Sequence, residues 1–450
     1  MLGVFIALIS GLALYDKAGI FALIFGVPLI FAGVTFCSYE HDYPEQWRVF
    51  FFALIFAVLC SLRIGYEVSR PNFQGKLNIT NETGTITNLR TWGRIYVAII
   101  DTEHYGKLAL RMQFAEIMPG TRIKFDGFTQ EFSRSDDFDE AKFWRAQGVN
   151  AWLKIYELEE LPTKFSFARL RYKISRFVSI NMPENTSAYL KAMLGERDYN
   201  LNLSHRRWGT SHLLAVSGFH VGLVLLCMGI IFGKNIFMLS LIMWAYIILT
   251  GCAVSALRAG LMLQVGLFSR VLKRPVEGIN SVSVAGVSLL IYSPFMYWDI
   301  GFRLSVLAAM LITSLPRKKI MLLVFSPLIW LVTFPQVSYT FGETPLVGII
   351  LNLFAPLYFS FAFMMAFAGL IFKVVNIIYL RSVEGIFILF DKIANLFAEI
   401  IPKFISWNYF LVFLGSSTLI YFVCRRLNFS FVRSLIITLA GSLAAFMILL

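Results

Sequence analysis

Charge is what this chain has least of. Asp, Glu, Lys and Arg make up 15% of its 450 residues, against about 25% in soluble domains. Hydrophobic residues reach 58%, and the mean hydropathy is +0.70. That balance excludes an ordinary soluble enzyme and points to a chain whose main solvent is lipid. Negative charge is the scarcer sign: 27 acidic residues stand against 40 Lys and Arg, a formal net charge of +13. Cysteine is rare as well. Cys37, Cys60, Cys227, Cys252 and Cys424 lie in or beside apolar stretches without CxxC spacing, so they read as small core hydrophobes rather than a disulfide framework. His41, His104, His205, His212 and His220 are the only histidines. No acid or Cys sits at ligand spacing from them, and although His205 and His212 are spaced to share a helix face, no metal and no cofactor are expected. No G-x-x-x-x-G-K-[ST] run occurs, so energy for any transport has to come from another protein. There is no internal repeat and no low-complexity tail. The first apolar run, Met1–Leu14, has no Lys or Arg before Lys17. It lacks the basic start of a secretory signal and is expected to remain as a spanning helix.

What is present is a succession of apolar runs, near 1–15, 18–36, 49–66, 212–232, 235–251, 254–270, 279–295, 299–315, 320–335, 346–372, 385–401, 408–424 and 430–449. Each is long enough, or nearly so, to cross a bilayer, which predicts a polytopic α-helical membrane protein of about 11–13 spans. The run at 346–372 carries Asn352 and Pro356 and reads as one tilted helix or two half-helices. Residues 1–66 thus form a first set of helices. Residues 67–163 break the pattern. Thr83–Leu89, Arg94–Ile100, Lys107–Phe114 and Arg122–Phe128 alternate polar with apolar or β-branched residues, predicting a small inserted β domain of four or five strands, for which an OB-like barrel is one solution. Residues 164–211 read as a basic helical linker. Beyond it, the basic loop residues Lys234, Arg270, Lys273, Arg274, Arg317, Lys318, Lys319, Lys373, Arg381, Arg425 and Arg426 fall on one side, and Lys403 alone on the other. The positive-inside rule makes the basic side cytoplasmic and places 67–211 outside.

The densest polar cluster in an apolar context is His212-Leu-Leu-Ala-Val-Ser217-Gly218-Phe-His220-Val-Gly222. Polar groups there face a water-filled path, a partner or a substrate; equally, Ser217 can bond back to its own helix and Gly218 and Gly222 can form a packing face. Ser217 and His220 are spaced to meet on a helix as a nucleophile and base, but residue 215 is Ala, so no G-x-S-x-G elbow exists, and no acidic orienter accompanies them. Arg258, within Ser255-Ala-Leu-Arg-Ala-Gly260, and Arg303, within Gly301-Phe-Arg-Leu-Ser305, fall inside apolar runs. A guanidinium there suits an anion such as phosphate; for Arg303 the other reading is an ion pair with Asp299. In the β domain, Arg90, Trp92, Arg94 and Tyr96 interleave cations with rings, the pattern by which single-strand binders stack bases and hold phosphates. The linker adds Arg169, Arg171, Lys173, Arg176, Lys191, Arg197, Arg206 and Arg207, a charge that suits either anionic lipid or nucleic acid.

These motifs together resemble the ComEC competence proteins, the inner-membrane DNA channels of natural transformation. The likeness spans most of the chain and is carried by Phe138-Asp-Glu-Ala-Lys-Phe-Trp-Arg-Ala-Gln-Gly148, Leu194-Gly-Glu-Arg-Asp198, the 212–222 segment, Leu249-Thr-Gly-Cys-Ala-Val-Ser-Ala-Leu-Arg-Ala-Gly260, Gly301-Phe-Arg-Leu-Ser305 and Pro345-Leu-Val-Gly-Ile-Ile-Leu-Asn352. The resemblance implies an exterior OB-like domain that meets DNA and a competence-type channel domain over 212–450. It implies roles along the path for His212, Ser217, Gly218, His220, Ser255, Arg258 and Ser305; Arg303, as a charge inside an apolar run, and Asn352, at the end of the last motif, are assigned to the same path, and Arg90, Trp92, Arg94, Tyr96, Arg206 and Arg207 are expected as exterior DNA contacts from their own charge and rings. Phe219 and Val221 stand where Leu and Ile are commoner, and Arg303 where Gln is usual.

The implied function is passage of single-stranded DNA, without sequence preference, into the cytoplasm of a bacterium. The implied partners are an exterior DNA receptor, a cytoplasmic ATP-driven motor, strand-binding proteins, and a second copy of the chain. No H-x-H-x-D-H signature occurs, so the strand-degrading domain of many relatives is not expected, and a separate nuclease would supply any degradation. A transporter of a smaller anionic solute or lipid-linked substrate accounts for the same residues, and an intramembrane serine hydrolase built on Ser217 and His220 is a third reading.

Overall fold

The computed structural model describes residues 1–20, 22–31, 46–69, 76–92, 95–113, 117–133, 139–162, 164–196, 198–233, 235–315, 321–341, 344–371 and 377–401. They are mostly helical, with one small mixed sheet. The elements are α1 (Leu2–Ala18), α2 (Gln46–Ser69), β1 (Asn78–Trp92), β2 (Ile95–Thr102), β3 (Gly106–Met112), β4 (Arg122–Gln130), α3 (Glu140–Ala146), β5 (Val149–Leu161), α4 (Phe167–Asn181), α5 (Glu184–Met193), α6 (Tyr199–Arg207), α7 (Gly218–Phe232), α8 (Ile236–Leu249), α9 (Val254–Val271), α10 (Gly278–Tyr292), α11 (Ile300–Ser314), α12 (Met321–Phe341), α13 (Val347–Ile371) and α14 (Ile377–Ile400). Among them, Phe51–Val68 and Val347–Gly369 are long and apolar enough to cross a membrane; Leu2–Tyr15, Ala22–Phe31, Gly218–Phe232, Ile236–Leu249, Gly278–Tyr292 and Ile300–Ser314 are apolar but shorter. The expected spans at 408–424 and 430–449 lie outside the described residues. The 346–372 run is one helix with Pro356 inside it rather than two halves.

The chain divides into two compact units, one of Met1–Phe177, Leu194–Glu196 and Val216–Thr313, the other of Val178–Met193, Arg197–Ala215 and Ser314–Leu450. In the first, the five strands close in the order β1-β2-β3-β5-β4. All neighbours are antiparallel except β3 and β5. Alternation along the strands sends Ile79, Ile86, Ala98, Ile100, Leu108, Ile123 and Phe125 inward to a common core. A second apolar layer lies outside the sheet, where Trp144 of α3 covers Val97, Ala109 and Trp152. The Trp144 and Trp152 rings are 5.1 Å apart, edge to face, a favoured aromatic geometry. Asp139 starts α3 by accepting from the Lys142 N–H at 3.0 Å, a standard N-cap. Lys142 and Arg145 then reach rings of the 294–298 turn, Lys142 5.3 Å from Trp298 and Arg145 4.7 Å from Phe295. Arg171 of α4, 5% exposed, donates to the Thr87 carbonyl at 2.8 Å. It therefore ties α4 to β1 instead of offering its charge to a ligand.

The same unit holds a helical core in which α1 buries Val4, Phe5, Leu8 and Leu12 against α2, α10 and α11. Phe5 lies where Gly286 of α10 has no side chain: a Cβ there would stand 2.2 Å from the ring. In the second unit, α5 and α6 pack with α13 and α14. Trp208, Tyr189, Phe359, Phe363, Phe387 and Phe390 are fully or almost fully buried there, and Tyr189 stacks on Phe387 at 4.5 Å.

Candidate functional site

The 212–222 segment does not form one helix. Ser211–Leu213 is a 3-10 turn, and Ser217 is extended (φ −132°, ψ 175°), so α7 begins at Gly218 with Ser217 as its N-cap. The His220 ring folds back over that end. Its Nδ1 accepts the Ser217 N–H at 3.3 Å and lies 3.3 Å from the Ser217 Oγ. An accepting Nδ1 puts the ring proton on Nε2. His220 fills the place that Glu or Gln takes in an ordinary capping box, and the bond from Ser217 to its own helix carbonyl is not the one made. Ser and His do meet, as their spacing allows, but the meeting is a helix cap.

Three features bring α9 to this cap. Ser255, in the first turn of α9, donates to the Val216 carbonyl. Gly218 faces Ala259, where a Cβ would come within 3.1 Å of the alanine methyl, so small residues let the two helices approach closely. Val216, Val221, Ala256 and Ala259 then join Met243 and Ile247 of α8 in one apolar cluster. One turn along α9 from Ser255 lies Arg258, 8% exposed. Its Nε and Nη1 have no hydrogen-bond partner among the described residues. A cation so placed is costly unless something anionic or water answers it.

Arg303 and Ser305 lie half-buried on α11. Arg303 makes no ion pair with Asp299. That carboxylate caps α11 by accepting the Phe302 N–H at 2.8 Å, while the Arg303 guanidinium stands 6.0 Å from the Tyr297 ring and leaves a buried Nε unpartnered among the described residues. A polar chain that sequence reasoning missed runs between α8 and α9. Trp244 donates to Gln264 Oε1 at 3.0 Å, and Gln264 donates to Ser240 Oγ at 3.1 Å. A Gln in an apolar run was the available signal.

In the second unit His212 is exposed. It does not share a helix with His205, because α6 ends at Arg207. Arg206 and Arg207 are exposed at that end, with Arg206 5.7 Å from the Phe341 ring. Asn352 of α13 donates to the Gly209 carbonyl at 3.3 Å. Pro356, four residues on, removes the N–H that would have bonded the Asn352 carbonyl. Gly209 (φ +68°) packs on Gly348 backbone to backbone.

Sequence reasoning also missed a buried network in this unit. Thr210 Oγ1 lies 2.9 Å from His205 Nδ1, His205 Nε2 lies 2.8 Å from the Tyr189 hydroxyl, and Tyr189 donates to Asp391 at 2.7 Å. Burial pushes the His205 imidazole down to about 3. Burial, and then the neighbouring Asp391, raises the Tyr189 phenol well above its usual range. Trp208 donates to Asn395 at 3.1 Å, and Glu384 accepts from Asn185 and Thr186. The signal was Glu384, Asp391 and Asn395 recurring along one apolar helix face.

Of the four residues expected to contact DNA on the β1–β2 hairpin, Arg90 and Trp92 lie in β1, opposite Val97 and Ile95. Tyr96 lies half-buried in β2, opposite Thr91 and Met112. Arg94 lies outside the described residues. Among the described residues no group of three His, Cys, Asp or Glu side chains is placed to hold a metal ion.

Comparison with known proteins points to one family. A curated relative, "ComE operon protein 3" of Bacillus subtilis (strain 168), is 26% identical over 216 residues, 44% of this chain and 28% of the relative. The chain thus spans well under half of that protein's length. No solved structure matches. The family described as "Competence: Competence protein" matches residues 194–429, more than half of the 450 residues and all of the segment that builds the Ser217, Ser255 and Arg258 cluster; the chain belongs to that family and is a ComEC-type competence protein.

Proposed function

We propose that this protein is a multi-pass channel of the bacterial cytoplasmic membrane that passes one DNA strand inward during competence. The observation that carries the reading is Arg258, buried in an apolar helix with two guanidinium nitrogens unanswered and lying one turn from the Ser255–Val216 junction. A phosphodiester supplies the missing acceptors, and a guanidinium takes any phosphate whatever the base. Ser217, Gly218, His220, Ser255, Arg303 and Ser305 shape or line the path in the first unit, and His212 and Asn352 contribute in the second. Residues 1–66 are then N-terminal spans, 67–163 an exterior OB-like domain, 164–211 an exterior linker, and 212–450 the channel domain. Support for the OB assignment is the closed five-strand order with one parallel pair. An exterior receptor delivers DNA, a motor and strand-binding proteins pull, a separate nuclease removes the other strand, and the channel acts alone or as a homo-oligomer.

The experiment is a deletion complemented with wild type, Arg258→Lys or Arg258→Gln, scored for transformants and for labelled DNA held outside the cytoplasm. Arg258→Gln is expected to lose roughly 10- to 150-fold, the equivalent of one charge-assisted contact of about 1.5–3 kcal/mol, with DNA accumulating outside and the protein level unchanged. Normal transformation in the deletion overturns the reading and favours a carrier of a smaller anionic solute.

A further inference from the structure

The outer face of the barrel at the β3–β5 seam carries a second feature, away from the Arg90 hairpin. Strands β3 and β5 run parallel and pair only from Lys107–Val149 to Leu110–Leu153. Beyond Leu110, β3 stays with β2, since Arg111 pairs with Val97, while β5 stays with β4, since Lys154 pairs with Phe128. The two strands therefore part, and the gap is a groove of about 330 Å³ lined by Leu110, Arg111, Gln130, Trp152, Leu153, Lys154 and Ile155. That volume is near the lower end of small-ligand clefts, about 300–1,000 Å³.

The groove and the strand surface beside it alternate cations with rings. Arg111 lies over Trp152 at 4.0 Å. Lys76 and Lys154 stand 3.9 Å and 5.9 Å from the Phe128 ring, and Phe128 meets Tyr156 at 5.3 Å. Tyr156 is 65% exposed, a ring offered to solvent. Trp152 is buried and forms the floor under the Arg111 guanidinium. Glu140 holds Arg111 at 3.2 Å and fixes the guanidinium over the indole. The acidic residues of β5 lie further along, Glu157 opposite Asp126, Glu159 opposite Lys124 and Glu160 opposite Ile123, so the far end of the β4–β5 pair is net acidic and the seam end net basic.

We infer that this seam and the strand surface beside it bind single-stranded nucleic acid, with Tyr156 stacking an unpaired base next to the groove and Lys154, Arg111 and Lys76 holding the phosphates to either side. The inference rests on the DNA-uptake reading and adds to it a defined exterior contact. Cations set around an exposed ring, here Tyr156, are the chemistry of sequence-tolerant strand binding, and the charge is complementary to a polyanion. Duplex DNA keeps its bases stacked inside and has nothing to offer Tyr156.

The test uses the full chain in detergent, with fluorescein-labelled oligo(dT) and the matching duplex, read by anisotropy across a salt series. Tyr156→Ala is expected to weaken oligo(dT) binding roughly 5- to 150-fold, the loss of one base–aromatic stack, and to leave duplex binding unchanged. Lys154→Ala is expected to flatten the log–log salt slope by about 0.7, one phosphate fewer on a single strand. Both side chains are exposed, so thermal unfolding should match wild type. Wild-type affinity and slope in both variants, with wild type itself binding oligo(dT), overturn the groove while the uptake reading stands. An equal loss on duplex and single strand overturns the stacking role. No binding by wild type removes both the groove and the exterior DNA contact of the uptake reading.

Discussion

Glu384 is the best place to perturb the second unit, because one carboxylate answers four donors. It accepts from the Asn185 N–H at 3.0 Å, the Asn185 side-chain amide at 2.8 Å, the Thr186 N–H at 2.8 Å and the Thr186 hydroxyl at 2.6 Å. Two of these are backbone groups in the first turn of α5, which have no partner within their own helix. A negative charge there also answers the positive end of the helix. In Glu384→Gln the amide oxygen can still serve one residue's pair of donors, but the NH₂ group turns its own donors on the other pair. About two charge-assisted bonds are lost, each worth about 1.5–3 kcal/mol. Water reaches this half-buried carboxylate and recovers part of that, which leaves a cost of roughly 2–4 kcal/mol. Expressed as local opening, amide exchange in the 184–193 segment should speed up roughly 30- to 1,000-fold. Hydrogen–deuterium exchange read by mass spectrometry on the detergent-solubilised protein measures this directly. The barrel strands provide the control and should exchange at wild-type rates. Unchanged exchange across α5 in Glu384→Gln would refute the carboxylate as its cap.

Gly209→Ala places a Cβ 3.0 Å from Pro345 Cγ and 3.1 Å from Gly348 Cα at a left-handed φ of +68°. Left-handed strain alone costs about 1–2 kcal/mol, so thermal unfolding should shift down, and an unmoved midpoint would sink the close-approach argument. His205 gives a pH dependence: burial depresses its pKa to about 3, so the folded ring stays neutral while the unfolded one, near 6.5, takes up a proton. Its contribution to stability is therefore present above about pH 6.5 and is lost progressively as the pH falls toward 3. His205→Gln should flatten that acid limb in a thermal-shift series; an identical acid limb in wild type and variant would count against it.

Much of the fold was legible where one physical rule acts alone. The half-buried strands β1 to β4 show the period of two, so their positions could be read to within a few residues. The start of β5 hid because Ala151, Trp152 and Leu153 are all buried: the barrel interior takes two of them and α3 covers Trp152, which erases the alternation. The true start of α7 hid inside the run read as 212–232, since its cap uses His220 rather than the Glu or Gln that marks most capping boxes. Arg258 was legible as a charge out of place. The Glu384 and Asp391 network was not, because its partners are 198 to 202 residues away in sequence, and a single sequence carries no trace of which distant donors a buried acid will meet.

The seat of Phe5 against Gly286 sets a timetable for synthesis. The first helix leaves the ribosome early, while the residue that accepts its ring comes about 280 positions later, which at about 5–20 residues per second is a wait of roughly 14 to 56 s. Throughout that interval the apolar face of α1 has to be kept by lipid, by α2 or by an insertion factor. A chain stopped before α10 keeps its N-terminal helix but never gains the place where that helix belongs.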